Sequence, residues 1–120
     1  MYQQHMTGSV GETIAADYLL GKGFTVVARN WRLRTAEIDI IAQRDDVVYF
    51  FEVKTRRSLQ YGHPYEAISA RKLFKIKQAG VVYVARRQLR YRALAVGVIG
   101  IVLNHTSDRC TIYYLPNVDG

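Results

Sequence analysis

Two neighbouring apolar segments, joined by a short acidic turn, constrain the fold of this chain more than any other feature. The first runs from residue 37 to 43 and the second from 47 to 54, and both have the composition of β-strands. Asp45 and Asp46 between them are typical turn residues. A two-residue loop at this point would pair residues whose numbers sum to about 91. The pattern therefore predicts a β-hairpin with Asp39 opposite Glu52.

Three charged side chains of this hairpin are predicted to share one surface. Side chains alternate between the two faces of a strand, so Glu52 and Lys54 point the same way, with the Cβ of Asp39 about 5 Å from that of Glu52. Two like charges at this separation destabilise a sheet, and a divalent cation is the simplest group that would stabilise them. Magnesium prefers carboxylate, water and phosphate oxygens. The pattern indicates phosphodiester hydrolysis, in which Lys54 would hold or help deprotonate a metal-bound water.

The first strand also permits a structural interpretation without a metal. Alternation predicts that Glu37 and Asp39 share one face, while Ile38 and Ile40 share the other. In the same register Glu37 lies opposite Lys54, which predicts an ordinary cross-strand ion pair. Both interpretations of Lys54 remain open at this point.

Glu12 is a further candidate, with two competing roles. The spacing from Ser9 to Glu12 matches a capping box, which predicts a helix from that point to about Leu20. As a capping residue, Glu12 would only satisfy a backbone N–H. It also shares a helical face with Ala15 and Leu19, however, and that position favours an orientation toward the sheet.

The rest of the chain alternates strands and helices. We predict strands over 24–31, 91–103 and 110–115, a loop over 55–63, a helical region from Pro64, and a turn over 104–109. A second helix is expected over 70–86, capped by Ser69, with a buried stripe at Leu73, Ile76, Gly80 and Tyr83. This order predicts an α/β fold in which helices flank a central mixed β-sheet, in one domain over residues 1–120.

The residues around these candidates resemble a known family. The matching positions are Gly11-Glu12, Ala15, Tyr18-Leu19, Gly23, Arg29-Asn30, Glu37-Ile38-Asp39, Phe51-Glu52-Val53-Lys54-Thr55-Arg56, Gly62, Pro64, Glu66-Ala67 and Lys72. The string is similar to the YraN-like family of small bacterial proteins, within the restriction-endonuclease-like superfamily and its D…(E/D)-x-K signature, and covers roughly residues 8–85. The resemblance implies a restriction-endonuclease-like fold and a nuclease dependent on Mg²⁺ or Mn²⁺. It also implies Glu12, Asp39 and Glu52 as catalytic and metal-binding carboxylates, with Lys54 as the catalytic cation.

Basic residues are concentrated in the second half of the chain. Between Lys54 and Arg92 the sequence has eleven lysines and arginines and one acid, Glu66, in a protein with a formal net charge of +7. Such clustering favours contact with a polyanion, although exposed helix faces are often simply solvated. We expect phosphate contacts from five of these residues, namely Arg56, Arg57, Arg71, Lys72 and Lys75.

Composition also predicts the compartment and the partners. The one cysteine, Cys110, favours a reducing compartment, and no apolar segment reaches the length of a membrane span. We expect a cytoplasmic protein with a nucleic-acid partner, DNA in the first instance and branched or structured forms included, and no membrane partner. A homodimer is left open. The alternative function is a non-catalytic nucleic-acid-binding or assembly module that retains the nuclease fold.

Overall fold

The fold is built in the order helix, three strands, helix, two strands. A computed structural model describes residues 2–60, 62–104 and 109–118. The elements are α1 (Tyr2–Gly21), β1 (Thr25–Arg32), β2 (Glu37–Arg44), β3 (Val47–Arg56), a 3₁₀ helix (Pro64–Ala67), α2 (Ala70–Arg87), β4 (Ala93–Leu103) and β5 (Cys110–Leu115). The predicted α/β class, with helices flanking a central sheet, is confirmed. The predicted turn over 104–109 lies largely at residues 105–108, which are outside the described part of the chain, as is Tyr61 of the predicted loop.

The five strands form one sheet in the order β1-β2-β3-β4-β5. β3 and β4 run parallel, and the other neighbouring pairs run antiparallel. A parallel pair requires a long crossover connection, and α2 lies in the segment that joins β3 to β4. The sheet is therefore mixed, as predicted.

The β2–β3 hairpin has the predicted register. Asp45 and Asp46 have φ angles of 52° and 64°, the left-handed conformation of a two-residue hairpin turn. The paired residues run from Arg44 with Val47 to Ile40 with Phe51. The ladder ends there, one residue before Asp39 and Glu52 would pair.

The sheet has a hydrophobic core on each face. Residues of α1 pack on one face with Phe51 and Ile40, and residues of α2 pack on the other with Phe50 and Ile38. The prediction that Ile38 and Ile40 share a face is therefore wrong. Asn30, which faces Asp39 in the register with β1, has a φ of 52°. The alternation of β2 is interrupted where its neighbour is distorted and its ladder with β3 ends.

α1 begins at Tyr2, well before the predicted start. Ser9 and Glu12 consequently lie inside the helix, and the predicted capping box is wrong. The residues before Ser9 include no proline, and the glycine at position 8 costs only about 1 kcal/mol in a helix. The local sequence therefore does not prevent α1 from beginning before Ser9. Ala15 and Leu19 are fully buried and Glu12 is half-buried, which confirms the predicted face.

α2 agrees closely with the prediction. The Ser69 hydroxyl accepts a hydrogen bond from the backbone N–H of Lys72 at 3.1 Å, so Ser69 is the N-cap. Ile76, Gly80 and Tyr83 are buried, and a Cβ at Gly80 would collide with the ring of Phe50. The glycine thus allows α2 to lie close against the sheet. None of the helices in the described ranges is long and apolar enough to cross a membrane.

Candidate functional site

The carboxylate of Asp39 is bound to the backbone of the neighbouring strand. Its Oδ2 accepts a hydrogen bond from the N–H of Val53 at 2.8 Å, and the residue is only 8% exposed. Because the β2–β3 ladder has ended, this side chain takes the place of a backbone acceptor for Val53. The bond holds Asp39 beside the residue that precedes Val53, which is Glu52.

The surroundings of Asp39 make its charged form unfavourable. Burial is the largest cause, and the negative charge of Glu52 is the next; together they raise the pKa of Asp39 to about 7. The hydrogen bond from Val53 acts in the opposite direction, while Glu12 and Glu37 add smaller repulsions. The structure therefore brings Asp39 close enough to Glu52 for their charges to repel each other.

Glu52 lies between two lysines. It is 5% exposed, and its Oε1 is 2.8 Å from Nζ of Lys72 and 3.6 Å from Nζ of Lys54. Lys54 follows Glu52 by two residues on the same face of β3, as predicted, whereas Lys72 arrives from the first turn of α2. From the sequence, only a phosphate contact is predicted for Lys72. Its position over Glu52 depends on how α2 crosses the sheet, for which the local sequence carries no signal.

The two lysines are affected differently by this arrangement. Burial, followed by the positive charge of Lys72, lowers the pKa of Lys54 in spite of the nearby Glu52. Burial would also lower the pKa of Lys72, but the hydrogen bond and charge of Glu52 outweigh it, so the pKa of Lys72 is raised. Lys54 consequently releases its proton more readily than an ordinary lysine, and Lys72 less readily. A lysine with a lowered pKa is suited to proton transfer.

Glu12 approaches the site from α1 through a close helix–strand contact. The neighbouring Gly11 is buried, and a Cβ at this position would lie 3.0 Å from the Cβ of Thr55 in β3 and still closer to its hydroxyl. Only glycine lets α1 approach the end of β3 this closely. The contact places Glu12 where its charge acts on Asp39.

Glu37 does not lie opposite Lys54, although strict alternation along β2 predicted that position. It forms an ion pair with Arg32 of β1, the residue opposite it in the β1–β2 register. The predicted cross-strand pair of Glu37 with Lys54 is therefore wrong. The physical reason is that the β2–β3 ladder ends at Ile40, and the first residues of β2 pair with β1 alone. The side chain of Arg32 is 74% exposed and that of Glu37 is 36% exposed, so this ion pair contributes little stability.

Asp39 and Glu52 carry oxygen donors of the kind that a hard divalent cation prefers. Both residues are buried, and the pKa of Asp39 is raised first by burial and second by the charge of Glu52. Within residues 2–60, 62–104 and 109–118, no group of three histidine, cysteine or acidic side chains is arranged to hold a metal. The fit therefore rests on Asp39 and Glu52, with water and phosphate oxygens as the remaining ligands, and not on a set of three carboxylates that includes Glu12.

The other predicted phosphate contacts lie at the same end of the sheet. Arg56 and Arg57 lie at and just beyond the end of β3, with Arg56 half-buried and Arg57 exposed. Arg71 and Lys75 lie in the first turns of α2, on either side of Lys72 in sequence. These four residues therefore lie close in sequence to Lys54 and Lys72, the two lysines that contact Glu52.

Comparison with known proteins identifies one family. A sequence model described as "Uncharacterised protein family UPF0102" matches residues 11–101. The chain is 38% identical over 110 residues to a UPF0102 protein of Dictyoglomus turgidum, with 92% of this chain and 93% of the relative covered. It is also 38% identical over 118 residues to one of Leifsonia xyli, covering 98% and 99% of the two chains. A relative from Pseudarthrobacter chlorophenolicus is 41% identical over 102 residues, covering 85% and 77%.

Proposed function

Because the chain belongs to the UPF0102 family and carries a buried carboxylate pair beside two lysines, we propose that it is a nuclease dependent on Mg²⁺ or Mn²⁺. The YraN-like family is this same family, so the sequence resemblance is confirmed at that level, while membership of the nuclease superfamily belongs to the proposal. The proposed reaction is hydrolysis of phosphodiester bonds in DNA, including branched or structured DNA. The observation that carries it is the coupling of Asp39 and Glu52 at the end of the β2–β3 ladder.

Each residue of the site has a distinct role in this proposal. Asp39 and Glu52 supply the oxygen ligands, and the bond from Val53 N–H fixes the orientation of Asp39. A divalent cation bound there would polarise a phosphoryl oxygen and acidify a water molecule. Lys54, with its lowered pKa, holds the attacking water and helps to remove its proton. Lys72 keeps the Glu52 carboxylate in place from the side of α2.

A cleavage assay tests this proposal directly. The purified protein is incubated with single-stranded, duplex, flapped and four-way DNA, in chelator, Mg²⁺ or Mn²⁺. We expect cleavage of at least one form that requires the metal and that falls by roughly 100-fold or more in Glu52→Gln. Lys54→Met should lower the rate with little effect on metal affinity. Asp17→Asn, which changes an exposed acid of α1 outside the site, is the matched control. Equal cleavage by the parent and an identically purified Glu52→Gln protein would refute the proposal.

The ion pairs of Glu52 also support a second candidate, a nucleic-acid-binding or assembly module without catalysis. Lys54 and Lys72 both lie within 4 Å of one carboxylate oxygen, so the charge of Glu52 is paired without a metal. This candidate predicts salt-dependent binding to DNA without cleavage of any form. Reversal of Arg56 and Arg57 to glutamate should weaken that binding. Metal-dependent cleavage that is lost in Glu52→Gln would exclude the second candidate.

A further inference from the structure

A cluster of three aromatic rings lies on the same face of the sheet as Glu52 and Lys54. His63 stacks on Tyr65 with ring centroids 5.0 Å apart and an interplanar angle of 20°. The ring of Tyr113 meets His63 edge-on at 4.9 Å and 81°. All three residues are half-buried, so each keeps part of its surface exposed. We call these three residues the aromatic platform.

A glycine in the central part of the sheet brings the aromatic platform to this face. Gly100 of β4 pairs with Lys54 on one side and with Tyr113 on the other, so side chains at these three positions point the same way. The position of a Cβ at Gly100 lies 3.0 Å from Pro64 and 3.5 Å from the Cβ of Tyr113. Pro64 therefore occupies the space left by the missing side chain. His63, the residue before it, lies against Tyr113 of β5, and Tyr65 stacks on His63.

The aromatic platform lies at a useful distance from Lys54. Neighbouring strands are separated by about 4.8 Å, so the Cα atoms of Lys54 and Tyr113 are about 10 Å apart across β4. Stacked nucleotides rise roughly 3.4 Å each along a strand, so this separation spans about three of them. A strand whose scissile phosphate lies at Lys54 would reach the rings with a base only a few nucleotides away.

The ring of His63 is positioned by packing against two other rings. Its Nδ1 is buried and has no hydrogen-bond partner among the residues that the structure describes. Basic side chains at Lys54 and Arg56 supply the charge that attracts a phosphate backbone to the same end of the sheet. Aromatic rings next to basic residues are the combination that binds single-stranded nucleic acid.

We propose that the aromatic platform stacks against an unpaired nucleobase, so that the substrate of this site is DNA with a single-stranded segment next to the scissile phosphate. This inference rests on the nucleic-acid binding in the proposed function, and it adds the structural class of the substrate. A base inside a continuous duplex is already stacked on both faces and cannot reach the rings. Single strands and flaps supply such a base.

An abasic scan measures this contact without requiring cleavage. Flapped DNAs, each lacking one base at a different position of the single-stranded arm, are bound to the parent protein in chelator at low salt, so that the junction fixes the register of binding. We expect one position, or two adjacent ones, at which loss of the base weakens binding by roughly 10-fold, the typical effect of losing one aromatic–base stack. A flat profile across the arm, or no binding to any flapped DNA, would overturn the inference.

A substitution then assigns the effect to the rings. In Tyr65→Leu the position-specific loss should disappear, whereas Tyr65→Phe should keep it. The matched control is Tyr91→Leu, since Tyr91 is an exposed tyrosine near the Asp45–Asp46 turn, at the opposite end of β3. Melting temperatures verify that each variant is folded. If Tyr65→Leu is folded and retains the full profile, the platform has a packing role only and the inference is wrong.

The two proposals can fail separately. Cleavage of a substrate with a flat abasic profile would support the nuclease and overturn the stacking contact. A position-specific profile without metal-dependent cleavage would support the stacking contact and refute the nuclease.

Discussion

Replacement of Asp39 by asparagine is the most direct test of the electrostatics of this site. The asparagine side chain has nearly the same shape, and its carbonyl oxygen can still accept the hydrogen bond from Val53. What it removes is the buried negative charge next to Glu52. Any change in the free energy of unfolding therefore reports mainly on that charge.

The magnitude follows from the pKa of Asp39. A rise from 3.8 to about 7 corresponds to about 4 kcal/mol by which the folded protein disfavours the charged form, as an upper estimate. The folded state holds its proton up to a higher pH than the unfolded state does. The contribution of Asp39 to the free energy of unfolding therefore falls as the pH rises from about 4 to about 7, and the full loss is present above pH 7. In chelator at pH 8, Asp39→Asn should be more stable than the parent, by as much as about 4 kcal/mol. Below pH 4 the two proteins should be equally stable.

Urea unfolding at pH 4, 6 and 8 measures this difference. The matched control is Asp17→Asn, at an exposed position of α1, which should follow the parent at every pH. If Asp39→Asn is less stable than the parent at pH 8 in chelator, or if its advantage does not shrink toward pH 4, the account of a repelled carboxylate is incorrect.

Metal binding should reduce the stability advantage of Asp39→Asn over the parent. A divalent ion that binds only the folded parent stabilises it by about 2.7 kcal/mol at 100 times its dissociation constant. Asp39→Asn should lose most of this gain because it lacks one of the two proposed carboxylate ligands. A parent protein whose unfolding is unaffected by both Mg²⁺ and Mn²⁺ would eliminate the metal role of Asp39 and Glu52.

Two further substitutions test contacts that assemble the site. Lys72→Met should destabilise the protein in chelator by about 1 kcal/mol, because it removes the 2.8 Å contact between Lys72, which is partly exposed, and the buried Glu52. Urea unfolding measures this loss, with Lys75→Met as the control. Equal effects of the two would contradict the role of Lys72. Gly11→Ala should cost about 1–3 kcal/mol, since the new Cβ would force α1 away from Thr55. Thr55→Ala should restore part of that loss in the double variant, and strictly additive melting results would count against the contact.

Local patterns in the sequence were sufficient for most of the framework. The two aspartates at the hairpin turn adopt the left-handed conformation that a two-residue loop requires, so the β2–β3 register follows from their position. The cap of α2 by Ser69 was predictable because its hydroxyl bonds to the N–H of Lys72, only three residues away. For the same reason, alternation along β3 correctly placed Glu52 and Lys54 on one face.

The details that give the site its chemistry depend on contacts between distant segments. The end of the β2–β3 ladder leaves Asp39 free to accept a hydrogen bond from the N–H of Val53. For the same reason Glu37 pairs with Arg32 and not with Lys54. Periodicity describes an ideal strand and does not state how far a ladder extends. It therefore misplaced Glu37.

The sequence by itself determined which strands and helices form and which residue types are available for chemistry. Only the tertiary structure decided that Lys72 of α2 lies against Glu52 and that Gly11 brings α1 to the end of β3. It also decided that Gly100 leaves room for Pro64, which brings His63 over Tyr113. The physical reason is that turns, caps and strand faces arise from neighbours within a few residues, whereas these contacts join segments tens of residues apart and form only when the whole core packs.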